Sequence, residues 1–388
     1  MKKRAILAAG VLVLGMASAQ NVIKIATASP LSGAQAASGE LIKNGTQIAI
    51  EAAQARFKAL GFELQLVPTD DQANPDTGVA NANRIINDPA ILGIVGHLNS
   101  GVAIPSSEVY ARVGVAMISP ANTNPKVTDR KLAVTNRVCG RDDVQGPAGA
   151  DFAVKTLKSR KIFVINDKTA YGQGLAEFFV KRAKELGAQI VGDVGTEEKA
   201  NFAAIINQIR LARPDTVYVG ATYDMAGPFA RQLRAAGIRL PIVGGDGLDS
   251  GEYVRLAGPG AVNTYYTAVG GPVSAFPRAR AFVAQYKAKF GKDSEGTAVL
   301  SFDAANIILN AIEAAIKANN GKLPERAAVA AEIRKQKLSG ISGDIEFDSK
   351  GDPKVGTYYV LGVGIAGAAP SYPGRLFATL KIPAPAAP

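Results

Sequence analysis

The stretch Ile91–Thr123, ILGIVGHLNSGVAIPSSEVYARVGVAMISPANT, constrains this chain more than any other. Ile91–Gly96 is a short apolar run, broken by Asn99-Ser100-Gly101. Gly101–Val113 suits a helix, and Val115–Ser119 is a second apolar run ending in Pro120-Ala121-Asn122-Thr123. Apolar runs of this length separated by helices fold as parallel strands with right-handed crossovers. Ligands of such sheets collect at the carboxyl ends of the strands. Ser100 and Thr123 both fall there, each with a hydroxyl and a backbone N–H to offer. Ser100 also opens a helix, where orphan N–H groups and the dipole favour an anion. The two turns are therefore expected to hold a small carboxylate.

The same alternation fills the chain. Strands at Val22–Ala28, Phe62–Val67, Ile91–Gly96, Val115–Ser119 and Leu132–Val138 make a first series, with helices at about Gly39–Leu60 and Asp76–Asn87. A second series follows, from a helix at Val144–Leu157 through strands at Lys161–Ile165, Gln189–Val194, Asp215–Gly220, Leu240–Gly244 and Asn263–Gly270. Helices at about Pro277–Phe290, Gly296–Ala318 and Pro324–Lys337 then lead to two last strands, Asp344–Phe347 and Lys354–Val363. A chain of 388 residues exceeds what one core usually supports. Two doubly wound α/β lobes joined by several crossings fit better than one very large sheet. The closing Pro-Ala-Pro-Ala-Ala-Pro predicts a frayed tail over 382–388.

The first residues read as an export signal: Lys2-Lys3-Arg4, the apolar Ala5–Met16, and Ala17-Ser18-Ala19 before Gln20. Cleavage is expected after Ala19. The apolar run is short of the roughly 20 residues a spanning helix needs, and no later stretch reads as long and apolar enough to span. A net charge of +11, of which Lys2, Lys3 and Arg4 supply three, raises the question of nucleic acid. The basic residues are scattered among acids on predicted helices, as in Val180-Lys181-Arg182-Ala183-Lys184-Glu185, so solvated helix faces explain them and no nucleic-acid partner is expected. With Cys139 and His97 each alone of their kind, neither a disulfide, a metal site nor a cofactor is expected. Gly362-Val363-Gly364-Ile365-Ala366-Gly367 matches a dinucleotide fingerprint but lacks a following helix and βαβ unit. No GxxxxGK[ST] or GxSxG occurs.

Asp246, in Gly245-Asp246-Gly247, ends a strand of the second series, as Ser100 and Thr123 end strands of the first. One acid facing two hydroxyl and N–H sites across a cleft suits a zwitterion, with ammonium on Asp246 and carboxylate on the first lobe.

Several segments carry a resemblance: Gly96-His97-Leu98, Ser100, Pro120-Ala121-Asn122-Thr123, Asp70-Asp71, Gln145-Gly146-Pro147, Asp167–Gly174 and Arg234-Ala235-Ala236-Gly237. Over about Val22–Val363 the chain resembles the bacterial leucine/isoleucine/valine-binding proteins, type I periplasmic binding proteins of ABC importers. The resemblance implies two Rossmann-like lobes on a three-crossing hinge near Val138–Arg141, Gly270–Pro272 and Phe347–Gly351. The first lobe would comprise 20–140 plus 271–348, the second 141–270 plus 349–381. Ser100, Ala121 and Thr123 would bind the α-carboxylate and ammonium, Tyr171 would close from the second lobe, and Asp246 would meet the ammonium. Leu98, Asn99, Thr222, Tyr223 and Ser38 complete the expected ligand-binding set.

The family's pattern is not kept throughout. Ser38 stands where well-known members have a covering tyrosine, and Ala298 where they have a phenylalanine, which implies a wide side-chain pocket. A further family tyrosine falls on Thr222, beside Tyr223, and Ala73 and Asn99 replace the disulfide of some members. The resemblance implies a monomeric, non-enzymatic, periplasmic carrier of an α-amino acid, branched-chain and aliphatic, handed to an inner-membrane permease. A related binder of an amide, urea or aromatic acid is the alternative within the class. An exported hydrolase or a sensor ectodomain is the alternative outside it.

Overall fold

The computed structural model describes residues 21–385. The expected leader, its cleavage site after Ala19 and residues 386–388 lie outside the described residues. The first series runs β1 (Asn21–Ser29), α1 (Ala36–Ala59), β2 (Phe62–Asp70), α2 (Pro75–Ile86), β3 (Ile91–Gly96), α3 (Ser100–Ala111), β4 (Ala116–Ser119), α4 (Lys126–Asp129) and β5 (Thr135–Arg137). The second runs α5 (Asp142–Asp151), β6 (Lys161–Asn166), α6 (Ala170–Glu185), β7 (Gln189–Gly195), α7 (Ala203–Ala212), β8 (Thr216–Gly220), α8 (Tyr223–Ala235), β9 (Ile242–Gly244), α9 (Gly251–Ala257) and β10 (Thr264–Ala268). The chain then returns through α10 (Arg280–Phe290), α11 (Gly296–Ala318), α12 (Arg326–Ile333), β11 (Lys337–Ser339) and β12 (Asp344–Glu346), and closes with β13 (Val355–Val363) and β14 (Arg375–Pro383).

The strands form two main sheets, one for each lobe. The first is parallel, in the order β2-β1-β3-β4-β5; the second has the order β14-β13-β10-β9-β8-β6-β7. β3 and β4 are buried at every position, which is why they read as unbroken apolar runs rather than alternating ones. In both sheets the chain reverses direction of build: β2 lies on one side of β1 and β3 on the other, and β7 and β8 flank β6 in the same way. Such a switch point leaves a crevice at the carboxyl ends of the strands, where ligands bind. The loops leaving β1, β3 and β4 face those leaving β6, β8, β9 and β10 across that crevice, as the residues lining one shared cavity demonstrate.

Several expectations need correction. The second sheet is not wholly parallel, because β13 runs antiparallel to β10 and β14 antiparallel to β13. β14 escaped the sequence reading: it is an edge strand, exposed or half-buried along its length, and prolines follow it closely. The tail expected from residue 382 is therefore ordered at first. Ile382 pairs with Gly356, Ala384 N donates to Lys354 O, and Lys350 Nζ donates to Pro385 O. The helix expected to reach Lys337 ends at Ile333, and Lys337–Ser339 instead pairs with Asp344–Glu346. The view that no later stretch is long and apolar enough to span fails for α11, whose 23 residues meet that test by length and composition. They are apolar because α11 is a core helix, packed between α1 and the first sheet, with 72% of its apolar window buried.

The crossing between β5 and α5 and the one before β13 are tied together by buried charge. Arg137 Nε and Arg141 Nη1 both bond Asp352, at 2.7 and 2.6 Å, and Arg137 and Asp352 are fully buried. Lys350 Nζ lies 3.5 Å from Asp352, and Thr128 Oγ1 donates to it at 2.7 Å. Burial raises the Asp352 pKa, but the two guanidinium groups outweigh it and hold the carboxyl below its ordinary range. The same Arg137 donates to the carbonyls of Asn122 and Asn124, at 2.7 and 3.1 Å. It thus fixes the loop after β4, which forms one wall of the cleft.

Candidate ligand-binding cleft

Between the carboxyl ends of the two sheets lies a cavity, continuous in part with solvent. From the first lobe, Ser38, Leu98, Asn99, Ser100 and Ala121 line it; from the second, Tyr171, Thr222, Tyr223 and Asp246 do so. Nine of the ten expected residues are thus brought together from loops far apart in sequence. Thr123 is the exception. It is fully buried and does not line the cavity, and its carbonyl accepts from Asp142 N at 2.9 Å.

The second-lobe half is built around Asp246. Tyr171 OH donates to Asp246 Oδ1 at 2.8 Å, and Gln145 Nε2 donates to the same oxygen at 2.9 Å. Gln145 Oε1 in turn accepts from Asp246 N at 2.8 Å, and Tyr171 OH accepts from Gly247 N at 2.7 Å. Both side-chain bonds fall on Oδ1, which leaves Oδ2 for a ligand. The flanking glycines are required by packing: a Cβ on Gly245 would come 2.3 Å from Leu175, and one on Gly247 2.4 Å from the Ala221 carbonyl. Burial pushes the Asp246 carboxyl up to about 6, against the opposing pull of the Gln145 and Tyr171 hydrogen bonds. Asp142, fully buried and 3.3 Å from Gln145 Nε2, is also raised, by burial first and then by the charge of Asp246. No salt bridge to Asp246 occurs among the described residues, so its carboxylate is available to a cation entering here.

The first-lobe half presents the start of α3. Its N-cap residue, Asn99, makes no side-chain capping bond: Asn99 Nδ2 donates to Gln35 Oε1 at 2.8 Å, and Asn99 Oδ1 is buried without a hydrogen-bond partner. The first N–H groups of α3 therefore lack a partner within the helix and are available to an anion. Ser100 Oγ, almost wholly buried, accepts weakly from Asn124 N at 3.3 Å. Ala121 N is already engaged with Ser119 Oγ at 3.1 Å.

Three features were missed. Gln35, just before α1, spans the cleft: its Nε2 donates to Thr222 Oγ1 at 3.1 Å and Asp224 Oδ1 at 3.3 Å. Nothing in its local sequence marks it. Gln145 sits in the Gln-Gly-Pro segment that supports the resemblance, which was the available signal. Ala298 was expected to widen the pocket, yet it is fully buried beneath α1, where its carbonyl would lie 2.3 Å from a Cβ on Gly45. Its neighbour Thr297 lines the cavity instead. His97, the one histidine, cannot serve a triad: it is fully buried, with Nδ1 2.8 Å from Asp71 Oδ2 and Nε2 3.0 Å from Tyr110 OH. Cys139 is buried too, and burial pushes its thiol up.

Two α/β lobes, linked by three crossings and enclosing a cavity between the carboxyl ends of their sheets, define a type I periplasmic binding protein. The chain belongs to the periplasmic binding protein family, whose model matches residues 22–368. Leu/Ile/Val-binding protein homolog 2 of Brucella abortus is 36% identical over 344 residues, covering 87% of this chain and 89% of that one. The crystal structure of a leucine-binding protein, LivK, from Thermotoga maritima superposes with a TM-score of 0.82 at 30% identity, covering 92% of this chain and 98% of the other. A solute-binding protein from R. palustris in complex with benzoate shares the fold, with a TM-score of 0.79 at 21% identity over 94% of this chain and 98% of its own. These relatives are solute-binding proteins rather than enzymes, and the family implies a periplasmic location.

Proposed function

We propose that this protein captures an α-amino acid between its lobes and delivers it, as a monomer, to an ABC permease of the inner membrane. The ammonium pairs with Asp246 Oδ2, and the carboxylate is held by the N-terminus of α3 and the Ser100 hydroxyl. The observation that carries this reading is the half-buried Asp246, oriented by Gln145 and Tyr171, with no salt bridge to it among the described residues. The names of the relatives favour a leucine-, isoleucine- or valine-like ligand. A cleft of this kind closes because only the closed state contacts the ligand from both lobes. The proposed units are 20–140 with 271–348, and 141–270 with 349–381, turning about the Arg137–Asp352 region. Native mass spectrometry of protein released from the periplasm by osmotic shock tests the reading directly. It should show the chain beginning at Gln20 and carrying an amino acid. A retained ligand without an α-ammonium group would overturn it.

A further inference from the structure

The cavity does not end at the ammonium site. Beyond Asp246 and Gly247 its wall continues through Asp249, Ser250, Val269, Gly270 and Thr297, so that an acid sits where a pocket for an aliphatic side chain would be wholly apolar. Asp249 is half-buried, and Tyr372 OH donates to its Oδ1 at 3.2 Å. Glu295 stands behind it: Oε1 accepts from Gly251 N at 3.0 Å, while Oε2 is buried with no hydrogen-bond partner. The groups that bear most on this pair are Asp246, Glu252, Tyr266, Tyr286, Tyr359 and Tyr372. Elsewhere the acids of this chain are widely paired, yet neither Asp249 nor Glu295 has a salt bridge among the described residues. Asp249 in the cavity wall, with the charge of Glu295 bearing on it from outside the wall, leaves a place for a second positive charge, beyond the one met by Asp246.

Taking the amino-acid reading above as given, we propose that the ligand is an amino acid with a cationic side chain, a diamino or guanidino acid, whose distal charge is received by Asp249 with Glu295 behind it. Burial, and after it the charge of neighbouring acids, pushes both carboxyls up to about 7 against the opposing pull of their hydrogen bonds. Without ligand the pair therefore holds protons near neutral pH, and a distal cation must displace them. Cation affinity should then rise with pH as Asp249 gives up its proton, and level off above about 8. An aliphatic ligand has no such linkage at this end of the cavity.

Calorimetric titration of the whole mature chain with L-lysine, L-arginine, L-leucine and L-glutamine at pH 6, 7 and 8 tests this. Lysine or arginine should bind at least tenfold more tightly than leucine and glutamine at pH 8, and several-fold more weakly at pH 6. Asp249→Asn should remove at least tenfold of the cationic ligand's affinity while changing leucine less than threefold. Glu295→Gln should act in the same direction, more weakly, and covers the case in which Asp249→Asn does not fold. Leucine or glutamine binding more tightly than both cationic ligands would overturn this proposal and leave the amino-acid reading standing. Equal losses for leucine and the cationic ligand in both variants would overturn it as well. If none of the four bound, the amino-acid reading itself would fall.

Discussion

At Asp246 one carboxylate oxygen is committed to Tyr171 and Gln145 and the other is free. Asp246→Asn keeps the shape and removes the charge. A ligand ammonium would then be buried without a counter-charge, which in comparable buried pairs costs about 3–5 kcal/mol. At about 1.4 kcal/mol per tenfold, affinity measured by calorimetry should fall by roughly two to three orders of magnitude. Unchanged binding would remove Asp246 from the ammonium site. Tyr171→Phe is milder, because Gln145 still holds Oδ1; loss of one hydrogen bond to a charged group predicts about 1.5–3 kcal/mol of binding. The turn residues were legible for a physical reason: a strand's carboxyl end followed by a helix start offers N–H groups whatever the ligand. The residues that orient Asp246 were not, since Gln145 and Asp246 are 101 positions apart and only the folded second lobe brings them together.

The same division appears among the elements. Alternating apolar runs and helices announced both series because parallel strands covered on both faces leave a continuous apolar imprint. The 23-residue α11 was read with its true ends, Gly296 and Ala318. β14 left no such imprint, because an edge strand half in solvent buries little. Nor could sequence reveal that Arg137 and Asp352, 215 positions apart, form a fully buried pair at the crossings. Asp352→Asn leaves the buried Arg137 without its counter-charge, while Arg141 keeps Asp129 and Asp143, and urea unfolding should show a loss of about 3–5 kcal/mol. Because the folded-state pKa of Asp352 is lowered, its contribution is present above the unfolded value and lost as pH falls through the folded one. The acid limb of the stability profile should therefore be less steep in Asp352→Asn than in the parent. An equally stable variant would mean that the carbonyls of Asn122 and Asn124, and not Asp352, hold Arg137 in place.

For the molecule as a whole, two predictions concern the cleft. Asp246, Asp249 and Glu295 all have folded-state pKa values raised, to about 6, 7 and 7. A raised carboxyl favours the folded state below its unfolded pKa, and that advantage is lost as pH rises through the folded value. The melting temperature of the ligand-free protein should thus fall between about pH 5 and pH 8, and Asp246→Asn should flatten that slope. A flat profile in the parent would mean that these groups ionise freely in an open, wet cleft. The other prediction concerns closure itself. Gln35 donates to Thr222 and Asp224 across the cleft and accepts from Asn99 on its own side, so it ties the lobes to each other in the absence of ligand. Hydrogen bonds of this kind contribute about 0.5–1.5 kcal/mol each. Gln35→Ala should therefore shift the closed population by roughly one order of magnitude, and apparent affinity falls in proportion to the competent fraction. Small-angle scattering should show the ligand-free variant more extended than the parent, with the two indistinguishable at saturating ligand. If Gln35 served only to line the pocket, affinity would fall while the ligand-free scattering stayed the same, and the latch would be refuted.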